Sequence, residues 1–599
     1  MGTMQINPSP IKGQHHQLLP NGKILFWNDV TAYIAEPDIF GDYSNLQYRR
    51  IADMPYSHLY GAVTVANDGK IWIHAGEFGT SALGRTSIFN PETETWTGIN
   101  SALSAHDPTV LADDGRMYTE SSILPSNATS PSQATLHSLG LSTAESPLVM
   151  TPDGRFALVG RTNIIMVAPD YSASFVSAGS FAGSNTATTN DLTSALNGMA
   201  LNWRKNSGNN FRSAETVNYE IGPAIYMPKI GKIVILSGSG DLYTYDHTTN
   251  TLARPFFFPL ENTGDAAQQI HQVGSIPASL NGVSVASLLT ANSLSFTWTG
   301  TRRTAQEFIQ LCQFIPDVRY ISLLTENATA ACQFFFTTPS YNATTNVVTL
   351  SGFQLTSIGL TNHTFRTGDA IYHGRPNVTF QDAPCAIIPN GDLITLGGVE
   401  STAGGGNFNK STRLMKWDGT NAPTFLTTEF NATAGFNVEQ FASNMSVLPD
   451  GSVYFVHNGC RYVPDSSENT PLTGSRPTVT YLPATVERGE TVTLAGTQLN
   501  GLHEGGAYGD DSSCRSNFPI VRFIDTSTGQ VRYARSLNYT YRGIQPNRTS
   551  SCLVKVPENI PNGNYNVEVV ANGIPSTART VTVKSSPFGD GTIFMNSYR

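Results

Sequence analysis

Along its first three quarters the chain repeats one phrase. An apolar stretch runs into a turn centred on Asp-Gly or Asn-Gly, then into a β-rich run that often ends in Gly. It reads Leu-Leu-Pro-Asn-Gly-Lys-Ile-Leu-Phe-Trp around Gly22 and Val-Ala-Asn-Asp-Gly-Lys-Ile-Trp-Ile around Gly69. Further copies surround Gly115, Gly154, Gly231, Gly391 and Gly451. Asp-Gly and Asn-Gly accept the positive φ angles of a tight hairpin, and the flanking residues are strand formers, so each phrase predicts two adjacent antiparallel strands.

The seven glycines are spaced by 47, 46, 39, 77, 160 and 60 residues. The first three intervals match the roughly 40 to 50 residues of one four-stranded propeller blade. Outer strand pairs are expected at Thr86–Trp96 and Leu242–Leu252, where strand, polar turn and strand follow one another. The 160-residue interval is expected to hold a degenerate blade, through Leu280-Asn281-Gly282-Val283, together with insertions and a short helix at Gln306–Phe314. The pattern predicts an all-β chain: a kelch-type β-propeller of seven blades, with six or eight as the alternatives. The repeat stops near Gly474, and short alternating strands from Arg476 onward predict an immunoglobulin-like β-sandwich. The division is 1–474 propeller, 475–584 sandwich and 585–599 tail.

Composition narrows the function classes. Charged residues are 14% of the chain and the net charge is −9, which leaves no basic footprint for nucleic acid. No apolar run approaches the roughly 20 residues of a membrane-spanning helix. Met1-Gly2-Thr3-Met4 does not read as a signal peptide and is taken as a mature or engineered start. An extracellular or cell-surface setting is nevertheless expected, from scarce Lys, six cysteines and ten Asn-X-Ser/Thr sequons. The sequons are Asn127, Asn327, Asn342, Asn362, Asn377, Asn409, Asn431, Asn444, Asn538 and Asn547. Cys514 with Cys552 is the preferred disulfide, then Cys312 with Cys332, leaving Cys385 and Cys460 to pair or stay free.

The blade phrases, followed by Arg476-Pro477-Thr478-Val479 and a sandwich containing Ala507-Tyr508-Gly509-Asp510-Asp511 through Arg522, resemble the galactose oxidase and glyoxal oxidase group. That resemblance implies a propeller with an early-set immunoglobulin-like domain. In its oxidases it also implies copper held by two tyrosines and two histidines, with a radical on a tyrosine cross-linked to a cysteine. Here the matching positions depart from the pattern. Phe441-Ala442 stands for the adjacent Tyr-His, Tyr60 for the cross-linking Cys, and His106 for the radical Tyr. The loop expected to deliver the last His reads Ser536-Leu537-Asn538-Tyr539-Thr540, and Tyr372-His373 lies outside any blade phrase. Copper is therefore not expected.

Counting back from the hairpin glycines places polar groups at one mouth of the axial channel. Catalytic candidates are His106, Asp107 and Tyr60, and ligand-binding candidates are His15, His16, His58, Glu220 and Asp382. Glu145, Glu439 and Gln440 fall in the same windows. Asp107, Glu145, Glu220 and Asp382 form a candidate set of oxygen ligands for calcium. The leading expectation is an extracellular binding protein on a galactose-oxidase-like scaffold, with a carbohydrate or a surface protein as partner. The alternatives are an oxidase with relocated copper ligands and a structural cell-wall or sheath component.

Overall fold

The computed structural model describes residues 2–6, 15–58, 61–74, 76, 85–100, 108–119, 122–126, 128, 135–136, 147–159, 164–168, 176–177, 222–236, 241–257, 271–300, 304–314, 319–324, 331–355, 364–368, 370–373, 378–380, 383–399, 413–421, 423–426, 444–455, 459–507 and 513–585.

Seven small antiparallel sheets follow one another along the described chain. Blade 1 runs from His15–Leu18 to Gln47–Arg50, blade 2 from Ala62–Val65 to Thr95–Asn100, and blade 3 from Thr109–Leu111 to Thr135–Leu136. Blade 4 runs from Leu148–Met150 to Val176–Ser177 and blade 5 from Ala224–Met227 to Thr251–Phe257. Blade 6 runs from Cys385–Ile387 to Thr424–Phe425, with Val378–Thr379 as an added strand. Blade 7 has Met445–Val447, Val453–Phe455 and Cys460–Val463, and its fourth strand is the N-terminal Thr3–Ile6. Borrowing the outer strand from the opposite end of the propeller closes the ring.

The turn chemistry explains the repetition. In six blades the hairpin Gly has φ between 75° and 86°, a region where a Cβ is strained. Each time the same two backbone bonds close the turn, as in Gly22 N–H to the Leu19 carbonyl and Leu19 N–H to the Lys23 carbonyl. The first strand of each blade lines the axis, because these strands neighbour one another: Ala62–Val65 touches Thr109–Leu111, and Cys385–Ile387 touches Met445–Val447. They are buried on both faces.

The 160-residue interval holds an insert rather than a degenerate blade. Gly282 sits in a turn beside the short 3₁₀ helix Ala278–Leu280. Between residues 271 and 373 the chain forms a five-stranded sheet, a three-stranded sheet and the helices Val285–Ala291 and Ala305–Phe314. The second helix matches the one expected, and Thr304 and Glu307 cap its start by exchanging side-chain to backbone bonds of 3.2 and 2.7 Å.

The sandwich spans Thr478–Lys584. Thr478–Tyr481, Thr491–Thr497 and Thr549–Lys555 form one side. Ile520–Asp525, Gly563–Ala571, Arg579–Lys584 and Thr485–Glu487 form the other. Val531–Leu537 pairs with both sides and joins them. Its strands alternate buried and exposed positions, as half-buried strands should. One hydrophobic cluster runs from Leu19, Trp27 and Leu448 of the propeller into Leu494, Phe523 and Tyr565 of the sandwich.

Candidate functional site at the two ends of the axis

The up-and-down order of each blade gives the propeller two unlike faces. The Asp-Gly hairpins lie on one, and the connections from each outermost strand to the next innermost strand lie on the other, the mouth. The sandwich docks on the hairpin face. Val531 N–H donates to the Ile39 carbonyl at 2.8 Å, Asn538 N–H to the Asn67 carbonyl at 2.7 Å, and Arg542 N–H to the Asp113 carbonyl at 2.8 Å. Glu92 pairs with Arg535 at 2.7 Å and also with Lys555. The insert leaves and rejoins the propeller between blades 5 and 6, so it is fed from the mouth.

From the sandwich two stretches of one segment, Gln498–Ala507 and Ser513–Phe518, enter the axis between the strands Thr491–Thr497 and Ile520–Asp525. Nearly all of its described residues are buried. Gln17 of blade 1 takes the Arg515 N–H at 2.9 Å and returns a bond to the Arg515 carbonyl at 2.7 Å. Met150 of blade 4 donates its N–H to Glu504 Oε1 at 2.7 Å. Ala507 exchanges two backbone bonds with Ala224 of blade 5. Gly506 lies against blade 6, where a Cβ would stand 2.4 Å from the Cys385 carbonyl oxygen, so only Gly fits.

Inside this segment Glu504 and Arg515 are a buried ion pair at 3.1 Å. The approach is off the line of the N–H bonds, and Glu504 Oε2 and the three Arg515 guanidinium nitrogens have no hydrogen-bond partner among the described residues. Burial raises the Glu504 pKa, and the Arg515 charge offsets part of the rise.

His15 and His16 head the innermost strand of blade 1, yet they do not open onto the mouth. His16 is 0% exposed, packed between Phe26 and Tyr454 of blade 7, and neither of its ring nitrogens has a hydrogen-bond partner among the described residues. His15 stacks on Trp27 at 5.4 Å. His58 Nε2 lies 2.8 Å from Ser87 Oγ. His74, at the end of the second strand of blade 2, completes the group with Nδ1 3.0 Å from Thr86 Oγ1. Burial, and the neighbouring imidazoles after it, push His15, His16 and His74 down to about 3, so each is neutral at physiological pH. His15, His16 and His58, the ligand-binding candidates of blades 1 and 2, are thus buried in the structure. Among the described residues no group of three or more His, Cys, Asp or Glu is placed to hold a metal ion.

Tyr60, His106, Asp107, Glu145, Glu220, Asp382, Glu439, Gln440, Phe441 and Ala442 lie outside the described residues. The loop matched to the missing copper ligand is placed. Asn538 is exposed on the hairpin face, and Tyr539 is buried with its hydroxyl on the Ser536 carbonyl at 3.0 Å. Neither offers a donor to the axis. His503, the imidazole that the axial segment does carry, is buried with Nδ1 accepting from Gly505 N–H at 3.3 Å. His373 packs edge-on against Phe308 at 4.8 Å inside the insert.

Cys514 and Cys552 are free thiols, so the expected bridge is not formed. Cys552 faces the sandwich core opposite Leu494, whereas Cys514 Sγ donates to the His16 carbonyl at 3.3 Å. Cys312 is buried, and the Cys332 side chain lies outside the described residues. Among the sequons, Asn342, Asn538 and Asn547 are exposed. Asn444 is 1% exposed at the head of blade 7, with both amide atoms unpartnered among the described residues, a burial at odds with a glycan there. Asn127, Asn327, Asn362, Asn377, Asn409 and Asn431 lie outside the described residues.

The axial segment and His74 were missed from sequence. The signal available for the first was Gly505-Gly506 beside His503-Glu504.

No protein-family model matches the chain, and no curated protein matches it. Among solved structures it is similar to a novel fungal alcohol oxidase of the AA5 family in complex with copper. The identity is 13% and the TM-score 0.31, over 97% of this chain and 99% of that one. Among the described residues no helix is long and apolar enough to cross a membrane.

Proposed function

We propose that this chain is an extracellular or cell-surface binding protein that takes a glycan on the mouth face of its propeller. The observation that supports this reading is the axial segment. Its Glu504–Arg515 pair sets opposite charges against each other, its backbone is bonded to blades 1 and 5, and the Glu504 side chain is bonded to blade 4, so it acts as a strut and not as a reactive centre. The hairpin face is spent on the sandwich. What remains for a partner is the mouth, where the blade connections and the insert converge, as loops on a rigid scaffold commonly carry recognition.

The test is a glycan array probed with the whole chain, alongside elemental mass spectrometry and a peroxide assay on alcohols and aldehydes. Retention on a defined glycan class, lost when the insert is replaced by a short linker in a chain that still folds, supports the reading. Stoichiometric copper with peroxide production overturns it in favour of an oxidase. The extracellular setting has its own test: expression through a secretory pathway should give glycan at Asn342 and none at Asn444.

A further inference from the structure

The hairpin turns fix the sandwich from outside, but a second tie is available inside the axis. Cys385 is the first residue of the innermost strand of blade 6. Gly506, on the outgoing limb of the axial segment, lies so close that a Cβ there would be 2.9 Å from Cys385 Sγ. The returning limb carries Cys514. The two limbs touch at this level, since a Cβ on Gly505 would be 1.9 Å from the Cys514 carbonyl oxygen. Ser446 and Met445, which begin the innermost strand of blade 7, the neighbour of the strand headed by Cys385, lower the Cys514 pKa against the larger effect of burial. Both thiols are buried, and each is free. Cys385 feels the charge of Cys514, after the larger effect of burial. The remaining described cysteines are committed elsewhere: Cys552 in the sandwich core, Cys460 in the third strand of blade 7 and Cys312 in the insert.

We propose that Cys385 and Cys514 form a disulfide that staples the axial segment of the sandwich to blade 6 when the chain folds under oxidising conditions. The two thiols lose two protons and two electrons as the Sγ–Sγ bond forms. A small-molecule disulfide of the oxidised glutathione class accepts them and is cleaved to two thiols. The bond closes a loop of more than a hundred residues, the kind of closure that constrains an unfolded chain most in the chain-entropy account. It also joins the sandwich to the propeller at a point that no turn contact reaches.

The experiment refolds the full chain in a mixture of reduced and oxidised glutathione, so that burial in the finished fold does not limit access. Free thiols are then alkylated and the chain is digested without reduction for mass spectrometry. The expected result is a linked pair of peptides containing Cys385 and Cys514, absent after reduction and absent in Cys514→Ala. Recovery of both residues alkylated, or of Cys514 linked to Cys552, overturns the proposal. Thermal unfolding gives a second reading on the wild type alone. The oxidised chain should melt a few degrees higher than the reduced chain, and coincident transitions count against the staple.

Discussion

The innermost propeller strands and the sandwich strands bury their residues in different ways. Strand Ala62–Val65 is buried at every position, and so is His15–Leu18, whereas Thr491–Thr497 alternates exposed and buried residues. A blade is packed on both faces by its neighbours, and a sandwich strand on one only. A polar residue therefore means different things in the two regions. In the sandwich it marks the solvent face. In an innermost strand it is a buried polar group packed between blades. Thr64 bonds to Thr109 there and His16 packs against aromatic rings, and a count of residues back from a hairpin cannot distinguish them from groups that line a mouth.

The largest expected consequence is acid lability confined to one region. His15, His16, His74 and His503 are held near pKa 3 against about 6.5 when unfolded. Between those values the unfolded chain binds more protons, so the stability they allow is fully present above about pH 6.5 and is lost as pH falls. At pH 5 the loss is about 2 kcal/mol for each imidazole. The propeller and axial segment hold all four, so hydrogen exchange at pH 5 should open blades 1 and 2 before the sandwich strands. His16→Phe should recover about 2 kcal/mol at that pH, since Phe26 and Tyr454 already offer it an aromatic slot. Uniform opening of both domains would break the comparison.

A paired substitution sharpens it. Thr64 is 1% exposed and donates to Thr109 Oγ1 at 2.7 Å across neighbouring blades, while Thr493 is exposed on its strand. Thr64→Asp should cost more than about 4 kcal/mol or prevent folding, through an unpaired buried charge. Thr493→Asp should stay within about 0.5 kcal/mol. Urea unfolding followed by circular dichroism reads both. Equal effects would mean that the burial patterns do not separate the regions.

How much of this was legible follows from the same contrast. Gly22, Gly69, Gly115, Gly154, Gly231, Gly391 and Gly451 each begin a hairpin because a repeated local turn needs only local sequence. The alternation after Arg476 read correctly for the same reason. The axial segment was not legible, since Gln498–Phe518 is used once and its burial depends on blades far away in sequence. Nor was the ring closure by Thr3–Ile6, four residues whose partner lies at Cys460–Val463. Leu280–Val283 carries the right turn letters, but its context is a helix-containing insert, and composition alone could not exclude a blade there. The windows that held the acidic mouth candidates fall almost wholly outside the described residues, so the calcium reading stands as an expectation.

The axial strut offers a smaller effect. Removing one member of a buried ion pair leaves a charge without its partner, which typically costs about 3–5 kcal/mol. Glu504→Gln should therefore lower stability by that order and loosen the bond from Met150 N–H, read as faster exchange of that amide. The double change Glu504→Leu with Arg515→Met should be close to neutral. The surface pair Glu92–Arg535 is the control, where Glu92→Gln should cost under about 1 kcal/mol. A Glu504→Gln effect no larger than the surface control would mean the axis is wet and the strut unimportant.

The smallest effect expected is a gain, at the junction of the two regions. Asp113 occupies the hairpin position that is Pro20, Pro152, Pro389 and Pro449 in other blades, and Asn67 in blade 2. The sandwich lies over it: a Cβ on Gly543 would stand 2.1 Å from Asp113 Oδ1, and that oxygen has no hydrogen-bond partner among the described residues. Burial is the main cause that pushes its pKa up to about 6, with the Arg548 charge opposing. The sign is opposite to that of the histidines. Below about pH 4 both states are protonated and the residue contributes nothing. As pH rises through 6 the folded state must hold a carboxylate that the unfolded chain ionises more easily, so stability falls. Asp113→Asn should then raise stability by about 1–2 kcal/mol at pH 7.5, after allowance for partial exposure, and leave it nearly unchanged at about pH 3. The Arg542 N–H bond to the residue 113 carbonyl is backbone and survives the change. A gain equal at both pH values would assign the effect to turn propensity, with Asn67 as the precedent, and remove the buried carboxylate from the account.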